Sequence, residues 1–318
     1  MREAQAPVLQ VDPHTGERFW LFARHADVLA GLQHPALGHG RPTPVTRYDR
    51  IDALQLINLD PPDHTRLRKL VSRAFTPRTV AALEPRIEAM ADELEDASEL
   101  PVAVIAELIG VPVGERERFR SWSNAIMSGA GREDAIVAFT DYVDALADER
   151  RARPQDDLIS ALAAIEELTR DELVAMIQLL LIAGQETAVY VIRHGLEALR
   201  AGGQWDLLCE DPSLAAAAVE EVVRFDGPVE IAPPRIALRD LGPIARGDKV
   251  GLAICGANRD PEVFTAPDTF DIRRPDLGRH IGFGHGIHFC LGAGLGRLEA
   301  RVVFQRLATV TIEEGESA

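Results

Sequence analysis

The chain has 318 residues, of which 46% are hydrophobic, so it is long and apolar enough to bury a sizeable core. Its formal net charge of −16 argues against general nucleic-acid binding, because phosphate contacts need a basic surface. The three cysteines do not make a disulfide framework, and no unbroken apolar run reaches the roughly 18 residues of a membrane span. We therefore expect a cytoplasmic protein that binds neither nucleic acid nor membranes.

Strand signals occur near the start of the chain and again late. Apolar runs flank the turn-rich stretch 12–16, which predicts a hairpin between Ala6 and Arg24. Short strands around glycine turns are predicted between Asp240 and Cys255. Helical periodicity dominates the part of the chain before Ala201. The predicted fold is mainly α with a small β portion, in a single domain over residues 1–318.

A cluster of cationic side chains follows Pro61 and Pro62. A helix there places His64 and Arg68 at positions i and i+4, on one face beside the apolar Leu67. Two cationic donors on a partly apolar face suit an anionic ligand. A solvated helix face is the alternative explanation at this point.

The longest predicted helix is the interior segment from Arg170 to Ala201. Thr169 and Glu172 form a capping box before it, and a Gly-Gly pair ends it. Its length is about 48 Å at about 1.5 Å per residue, and its middle is apolar nearly all round. The stretch 184–187, Gly-Gln-Glu-Thr, interrupts that middle and indicates either a structural kink or a functional site.

A second charged pair lies in the next helix, which the sequence predicts between Asp211 and Gly227. Glu221 and Arg224 are three residues apart, so they share a helix face and can form an ion pair. On spacing alone, an ordinary surface ion pair is the expected explanation.

Cys290 is the third feature with chemical potential. Three glycines precede it at alternate positions, and the apolar stretch 291–303 predicts a helix that begins just after it. A helix N-terminus favours a thiolate, and a lone thiolate suits a single axial bond to haem iron. Zinc fits less well because no second cysteine lies nearby. Cys209 and Cys255 are interpreted as buried and inert.

Four stretches, in the correct order, resemble motifs of the cytochrome P450 family. "FGHGIHFCLG" at 283–292 resembles the haem-binding loop, and "AGQET" at 183–187 resembles the oxygen-binding kink of the long central helix. Glu221 and Arg224 match the family's Glu-x-x-Arg pair, and the stretch 257–274 is similar to the segment before the haem loop. The resemblance runs from about Pro7 to Val310 and is closest to soluble bacterial members.

The resemblance implies roles for individual residues. Cys290 is the implied metal ligand, an axial thiolate on the iron of haem b, and Glu186 with Thr187 matches the acid–alcohol pair that delivers protons to bound oxygen. Glu221 and Arg224 are the implied structural ion pair, with Arg274 as a third member. The implied cofactor-binding residues, some of them at propionate-binding positions, are His64, Arg68, Ala183, Arg235, Phe283, His288, Cys290 and Gly292.

The implied activity is that of a haem-thiolate monooxygenase acting on an apolar small molecule. No flavin- or NAD-binding segment is apparent, so the electrons are expected from a ferredoxin or flavodoxin-type protein with its reductase. An acidic ferredoxin is expected to dock on the basic residues Arg66, Arg68, Lys69, Arg73, Arg78, Arg297 and Arg301. A peroxide-driven peroxygenase and a non-catalytic haem-binding sensor are the alternatives.

The chain departs from the family pattern in its length. It is expected to be shortened at the N-terminus, in the substrate-covering lid region from Val113 to Asp156, and at the C-terminus. A heat-tolerant scaffold with short loops and a pocket open to a large or carrier-bound substrate are two explanations. Composition does not decide between them.

Overall fold

The structure is a computed structural model that describes residues 7–13, 15–40, 44, 46–94, 96–128 and 131–316. Most of these residues are helical, and the predicted fold, mainly α with a small β portion, is confirmed. The helices are α1 His25–Gln33, α2 Arg47–Ala53, α3 Asp63–Val71, α4 Pro77–Glu93, α5 Leu100–Ile109, α6 Arg116–Ser128, α7 Arg132–Ala152, α8 Leu158–Ala163, α9 Arg170–Ala201, α10 Trp205–Glu210, α11 Ala215–Asp226, α12 Ile254–Ala257 and α13 Ala293–Glu316. The strands are β1 Val8–Val11, β2 Arg18–Phe22, β3 Leu37–Gly38, β4 Arg235–Ala237 and β5 Lys249–Leu252.

The strands form one mixed sheet in the order β1-β2-β5-β4-β3. Strands β1 and β2 form the predicted antiparallel hairpin, in which Val8 lies opposite Leu21. Strand β5 pairs in parallel with β2, whereas β4 pairs antiparallel with both β5 and β3. The late strand predicted from sequence is therefore confirmed as β5, which pairs with β2 of the N-terminal hairpin.

The chain forms two compact units. The first unit combines the segment up to Gly40 with Tyr190–Ala293 and the segment from Ala300 onward; it contains the sheet. The second unit combines the segment 41–189 with Gly294–Glu299 and is helical except for its turns and loops. The predicted single domain and its shortened regions stay predictions.

Helix ends follow the predicted capping residues. The Thr76 side chain accepts a hydrogen bond from the Thr79 N–H at 3.2 Å, at the start of α4. Thr169 and Glu172 form the capping box of α9, with N···O distances of 2.9 and 3.3 Å. This helix spans Arg170–Ala201 as predicted and ends at Gly202 and Gly203. These boundaries were predictable because each depends on side chains within one turn of the helix end.

By length and composition, α9 is the one helix in the described part of the chain that could cross a membrane. Half of its most apolar 18-residue window is buried inside the protein. The core helix of a soluble protein passes the same test, so this observation by itself is weak evidence for a membrane span.

An ion-pair network lies inside the first unit. Arg224 donates two hydrogen bonds to the Glu221 carboxylate, at 2.7 and 2.8 Å, and both side chains are 0% exposed. Arg274 lies 3.3 Å from the same carboxylate and also donates to carbonyl oxygens in the loop 265–269. The alternative of a surface pair is therefore wrong. Burial comes from this loop, which folds over α11 from more than 30 residues away in sequence.

Candidate functional site

The backbone of the Cys290 loop closes on itself. The Cys290 N–H donates to the Phe283 carbonyl oxygen at 2.9 Å. Gly284 and Gly286 have φ angles of +74° and +72°, a region that side-chain-bearing residues rarely adopt. A Cβ on Gly286 would also lie 3.2 Å from the Gln33 side chain of α1. The glycine spacing in the sequence therefore has a direct cause in the conformation of this loop.

Cys290 presents an exposed side chain shortly after two exposed apolar residues. Ile287 is 48% exposed and Phe289 is 41% exposed, which is unusual for side chains of this size. Helix α13 begins three residues after the cysteine. A Cβ added to Gly292 would meet no atom within 4 Å, so there is open space beside the thiol-bearing loop.

The other two cysteines have a different environment. Desolvation, followed by the charge of Asp206, raises the pKa of the Cys209 thiol. Desolvation, followed by the charge of Glu230, likewise raises the pKa of the Cys255 thiol. The raised pKa values favour the protonated, less reactive thiol, in line with the inert role predicted from sequence. The prediction that both are buried is wrong, because Cys255 is exposed and Cys209 is only partly buried.

Arg235 and His288 come together through a third residue, His39. The buried Arg235 side chain on β4 hydrogen-bonds to the His39 ring nitrogen. The His39 and His288 rings lie edge to face, with their centroids 5.1 Å apart. His39 was missed in the sequence because a single histidine beside a two-residue strand carries no periodic signal. Its position between Gly38 and Gly40 was the one available indication.

His64 and Arg68 lie one turn apart on α3, as predicted. The His64 ring is 1% exposed and shares the buried face of the helix with Leu67, while Arg68 is half-buried. Arg66, on the outer side, hydrogen-bonds to Glu172 at the start of α9. This ion pair joins α3 to α9 within the second unit, and docking of a redox partner at Arg66 stays a prediction.

The stretch Ala183–Thr187 lies within α9, which runs through it as a regular helix. The Thr187 hydroxyl donates to the Ala183 carbonyl oxygen at 2.6 Å, the common bond of a helical threonine to the carbonyl four residues back. The hydroxyl oxygen still has lone pairs that can accept from a water or a ligand. Ala183 and Glu186 are exposed, and Thr187 is half-buried.

Two further contacts at this turn were not predicted. The buried Gln185 side-chain oxygen accepts a hydrogen bond from Ser123 on α6. A Cβ on Gly184 would lie 3.2 Å from the Cδ1 atom of Ile105 on α5. Both partners lie at least 60 residues away in sequence, so no local pattern could have indicated them.

The residues present fit haem, a flat apolar group with one metal ion and two carboxylates. The exposed thiol, its two apolar neighbours and the open space at Gly292 suit an iron ion and a porphyrin face. The guanidinium and two imidazoles of Arg235, His39 and His288 suit carboxylates.

Comparisons with known proteins also indicate a haem protein. The family model for cytochrome P450 matches residues 210–308. The vitamin D(3) 25-hydroxylase of Pseudonocardia autotrophica is 42% identical over 320 residues, which cover 91% of this chain and 79% of the relative.

Solved structures extend the likeness to the fold. The cytochrome P450 PksS of the Bacillus subtilis 168 bacillaene polyketide synthase has a TM-score of 0.89 at 37% identity, over 96% of this chain and 86% of that chain. A myxobacterial cytochrome P450 in complex with myristic acid has a TM-score of 0.84 at 39% identity, over 95% of this chain and 84% of that chain. Identity and coverage at this level, together with a cysteine loop that fits haem, show that the chain belongs to the cytochrome P450 family and is a monooxygenase of that family.

Proposed function

We propose that this cytochrome P450 monooxygenase binds haem b through the Cys290 thiolate and oxidises an apolar organic substrate with electrons from a separate redox protein. The observation that carries the proposal is the exposed Cys290 side chain, which directly follows exposed Phe289 and lies three residues after exposed Ile287, in a loop closed by its own backbone. A thiolate at the start of α13 is stabilised by the positive end of the helix dipole.

The haem carboxylates would bind to cationic side chains. Arg235, with His39 and His288 beside it, supplies donors in the first unit. For His64 and Arg68 on α3, a haem-binding role stays a prediction from the family resemblance. Charge-assisted hydrogen bonds of this kind are about twice as strong as neutral ones, so the loss of one donor is expected to weaken haem retention only in part.

When bound, haem supplies the reductive activation of O2 and the transfer of one oxygen atom to the substrate. The chain supplies binding, orientation and protons. Glu186 is exposed and ionisable, so it can exchange protons with solvent. The Thr187 hydroxyl, which already donates to Ala183, can hold a water through its free lone pairs and pass on a proton from it.

We infer that the electron donor is an acidic ferredoxin-type protein. Lys69, Arg73 and Arg78 are exposed on the α3–α4 segment and form no ion pair with a described residue. A Cβ on Gly294, four residues after Cys290, would lie 3.7 Å from Val80 of α4. The cationic segment therefore adjoins the start of α13, and charge complementarity favours an acidic partner there.

Charge reversal tests this docking surface. Lys69→Glu and Arg73→Glu are expected to lower the ferredoxin-driven reduction rate about tenfold at low salt and to flatten its dependence on ionic strength. Arg66 is left intact, because it is bonded to Glu172. Arg239→Glu, an exposed arginine on another segment, is the matched control and should leave the rate unchanged. An equal effect of all three variants contradicts the docking site.

The substrate class is proposed from what the relatives share. One relative is a hydroxylase of vitamin D(3), one belongs to a polyketide synthase, and one was solved with myristic acid. Vitamin D(3) and myristic acid differ in shape, but both are largely apolar. We therefore propose an apolar substrate, either free or attached to a carrier protein, and a cytoplasmic location for the enzyme.

Two measurements test the proposed function. The reduced, CO-bound protein is expected to give the strongly red-shifted Soret band of thiolate-ligated haem, and its absence from haem-loaded protein contradicts the Cys290 assignment. Product formation is then compared with reductant and O2, with peroxide, and with neither. Product that forms with peroxide but not with reductant and O2 indicates a peroxygenase, and no product in any arm with a panel of apolar substrates indicates a sensor.

A further inference from the structure

We propose that the buried hydrogen bond between Ser123 and Gln185 positions the turn of α9 that carries Glu186 and Thr187. The inference rests on the proposed role of those two residues in proton delivery. It adds a positioning residue on another helix, α6, to the two residues of α9 proposed to deliver protons.

The two side chains meet in the interior of the second unit. Ser123 is 1% exposed and Gln185 is 7% exposed, and the serine hydroxyl donates to the glutamine side-chain oxygen. Ser123 lies on the buried face of α6 between Phe119 and Ile126, both nearly inaccessible. The bond is therefore a single polar contact set in an apolar helix face, which gives it a defined geometry.

Helix geometry relates this contact to the residues at the functional face. Successive residues are about 100° apart around a helix, so Ala183 and Thr187 share one side, whereas Gln185 points to the opposite side. A hydrogen bond at Gln185 therefore fixes the rotation of the helix about its axis at this turn. The direction in which Thr187 points depends on that rotation.

A second contact supports the same turn. At Gly184 the helix approaches α5 so closely that a Cβ would lie 3.2 Å from Ile105. Van der Waals contact with α5 limits how near the helix comes, but it does not fix its rotation. The directional bond from Ser123 supplies that constraint.

A matched pair exists on the same helix. Gln178 lies seven residues before Gln185, on nearly the same stripe of α9. Its side-chain nitrogen donates to the Thr140 hydroxyl of α7 at 2.6 Å, and both side chains are buried. Both pairs join a buried glutamine of α9 to a buried hydroxyl of a neighbouring helix, although Gln178 donates whereas Gln185 accepts, and Gln178 is two turns away from Glu186.

The design separates stability from positioning. Removing one partner leaves a buried polar group without its bond, while replacing both by apolar groups of similar shape is nearly neutral for stability. Ser123→Ala and Gln185→Met are each expected to destabilise the fold, and the double variant is expected to regain much of that stability. The positioning effect should persist in the double variant, because the directional bond is still absent.

The readout of positioning is the infrared C–O stretch of the reduced protein with carbon monoxide as probe. Ser123→Ala, Gln185→Met and the double variant are each expected to shift the population ratio of the C–O bands about fivefold, which corresponds to one ordinary hydrogen bond. Ser123→Thr keeps the hydroxyl and should keep the wild-type ratio. Thr140→Val and Gln178→Met should lose comparable stability without shifting the ratio.

Two results overturn the inference. One is a double variant that regains both stability and the wild-type band ratio; the other is a control pair that shifts the ratio as much as the Ser123 pair. Amide hydrogen exchange of haem-free protein gives an independent readout, and faster exchange at 184–188 in Ser123→Ala but not in Thr140→Val supports the inference. Because this measurement needs no haem, it separates a failed positioning role from a failed proposed function.

Discussion

The Cys290 loop and the Gly184–Thr187 turn of α9 are the two regions proposed to carry the chemistry, and they obtain their shape in different ways. The loop is shaped by its own chain, through glycines with positive φ and a backbone bond from Cys290 to Phe283. The turn is ordinary helix, and its special features are contacts with α5 and α6.

The difference indicates where each region is vulnerable. A loop set by backbone conformation is damaged by changes within it and is insensitive to compensation elsewhere. A helix turn held by side chains of neighbouring helices is altered from outside and can be restored from outside. The predictions below test this contrast, beginning with the largest expected effect.

Cys290→Ser is expected to abolish oxygenase activity and the red-shifted CO band, because the axial thiolate is lost. Much of the fold should remain, since the loop backbone bond does not involve the sulfur. The CO difference spectrum and circular dichroism measure these two outcomes. Normal activity in Cys290→Ser would refute the ligand assignment, and Cys209→Ser is the control that should change neither.

Glu186→Gln is expected to slow the whole cycle about 100-fold, within the usual range for a group in general acid–base catalysis. The amide keeps the size of the exposed side chain but cannot exchange a proton with solvent. Steady-state turnover with a saturating redox partner measures the effect. A turnover number equal to that of the wild type would remove Glu186 from the proton path.

Thr187→Ala is expected to reduce product formed per electron pair about tenfold while NAD(P)H consumption stays substantial. The lost hydroxyl donates to Ala183 and holds the proposed water, so reduced oxygen should leave as hydrogen peroxide. Peroxide and product are quantified together, with substrate binding verified. Thr187→Ser keeps a hydroxyl and should couple normally, and unchanged coupling in Thr187→Ala would limit the hydroxyl to a local helix bond.

Gly286→Ala is expected to lower the free energy of unfolding by about 1–3 kcal/mol, because a Cβ is strained at a φ of +72°. Urea unfolding measures the change. Gly278→Ala, where a Cβ meets no atom within 4 Å and φ is ordinary, is the control and should cost little. Equal costs at the two glycines would mean that loop conformation is not the cause.

Gly184→Ala is expected to have the smallest effect, below about 1 kcal/mol, because better helix propensity offsets the close contact with Ile105. Ile105→Val removes the nearest atom, so the double variant should be more stable than Ile105→Val alone in urea unfolding. This compensation from another helix is what the comparison predicts for the turn. If Gly184→Ala does not raise stability in the Ile105→Val background, the contact with α5 does not shape the Gly184–Thr187 turn.

The local features of the fold were predictable from sequence. Helix α9 was predicted with both ends correct, because its capping box and its terminal glycines act within one turn of the ends. The Cys290 loop was recognised for the same reason: its conformation is encoded by its own glycines. The predicted hairpin of β1 and β2 also depends on a local turn.

Features that depend on distant partners could not be predicted from the residues alone. Spacing alone favoured a surface pair at Glu221 and Arg224, and this was wrong because the loop 265–269 covers the pair. Arg66 looked like a free docking cation until the structure paired it with Glu172.

The candidate site divides in the same way. From the sequence by itself come the residues proposed to carry the chemistry, the thiol of Cys290 and the acid–alcohol pair on α9, because their motifs are contiguous and resemble those of the family. Only the tertiary structure decided which groups support them: His39 beside Arg235, and Ser123 beside Gln185. These supporting bonds join elements far apart in the chain, and a hydrogen bond depends on distance and angle between two atoms rather than on their separation in sequence.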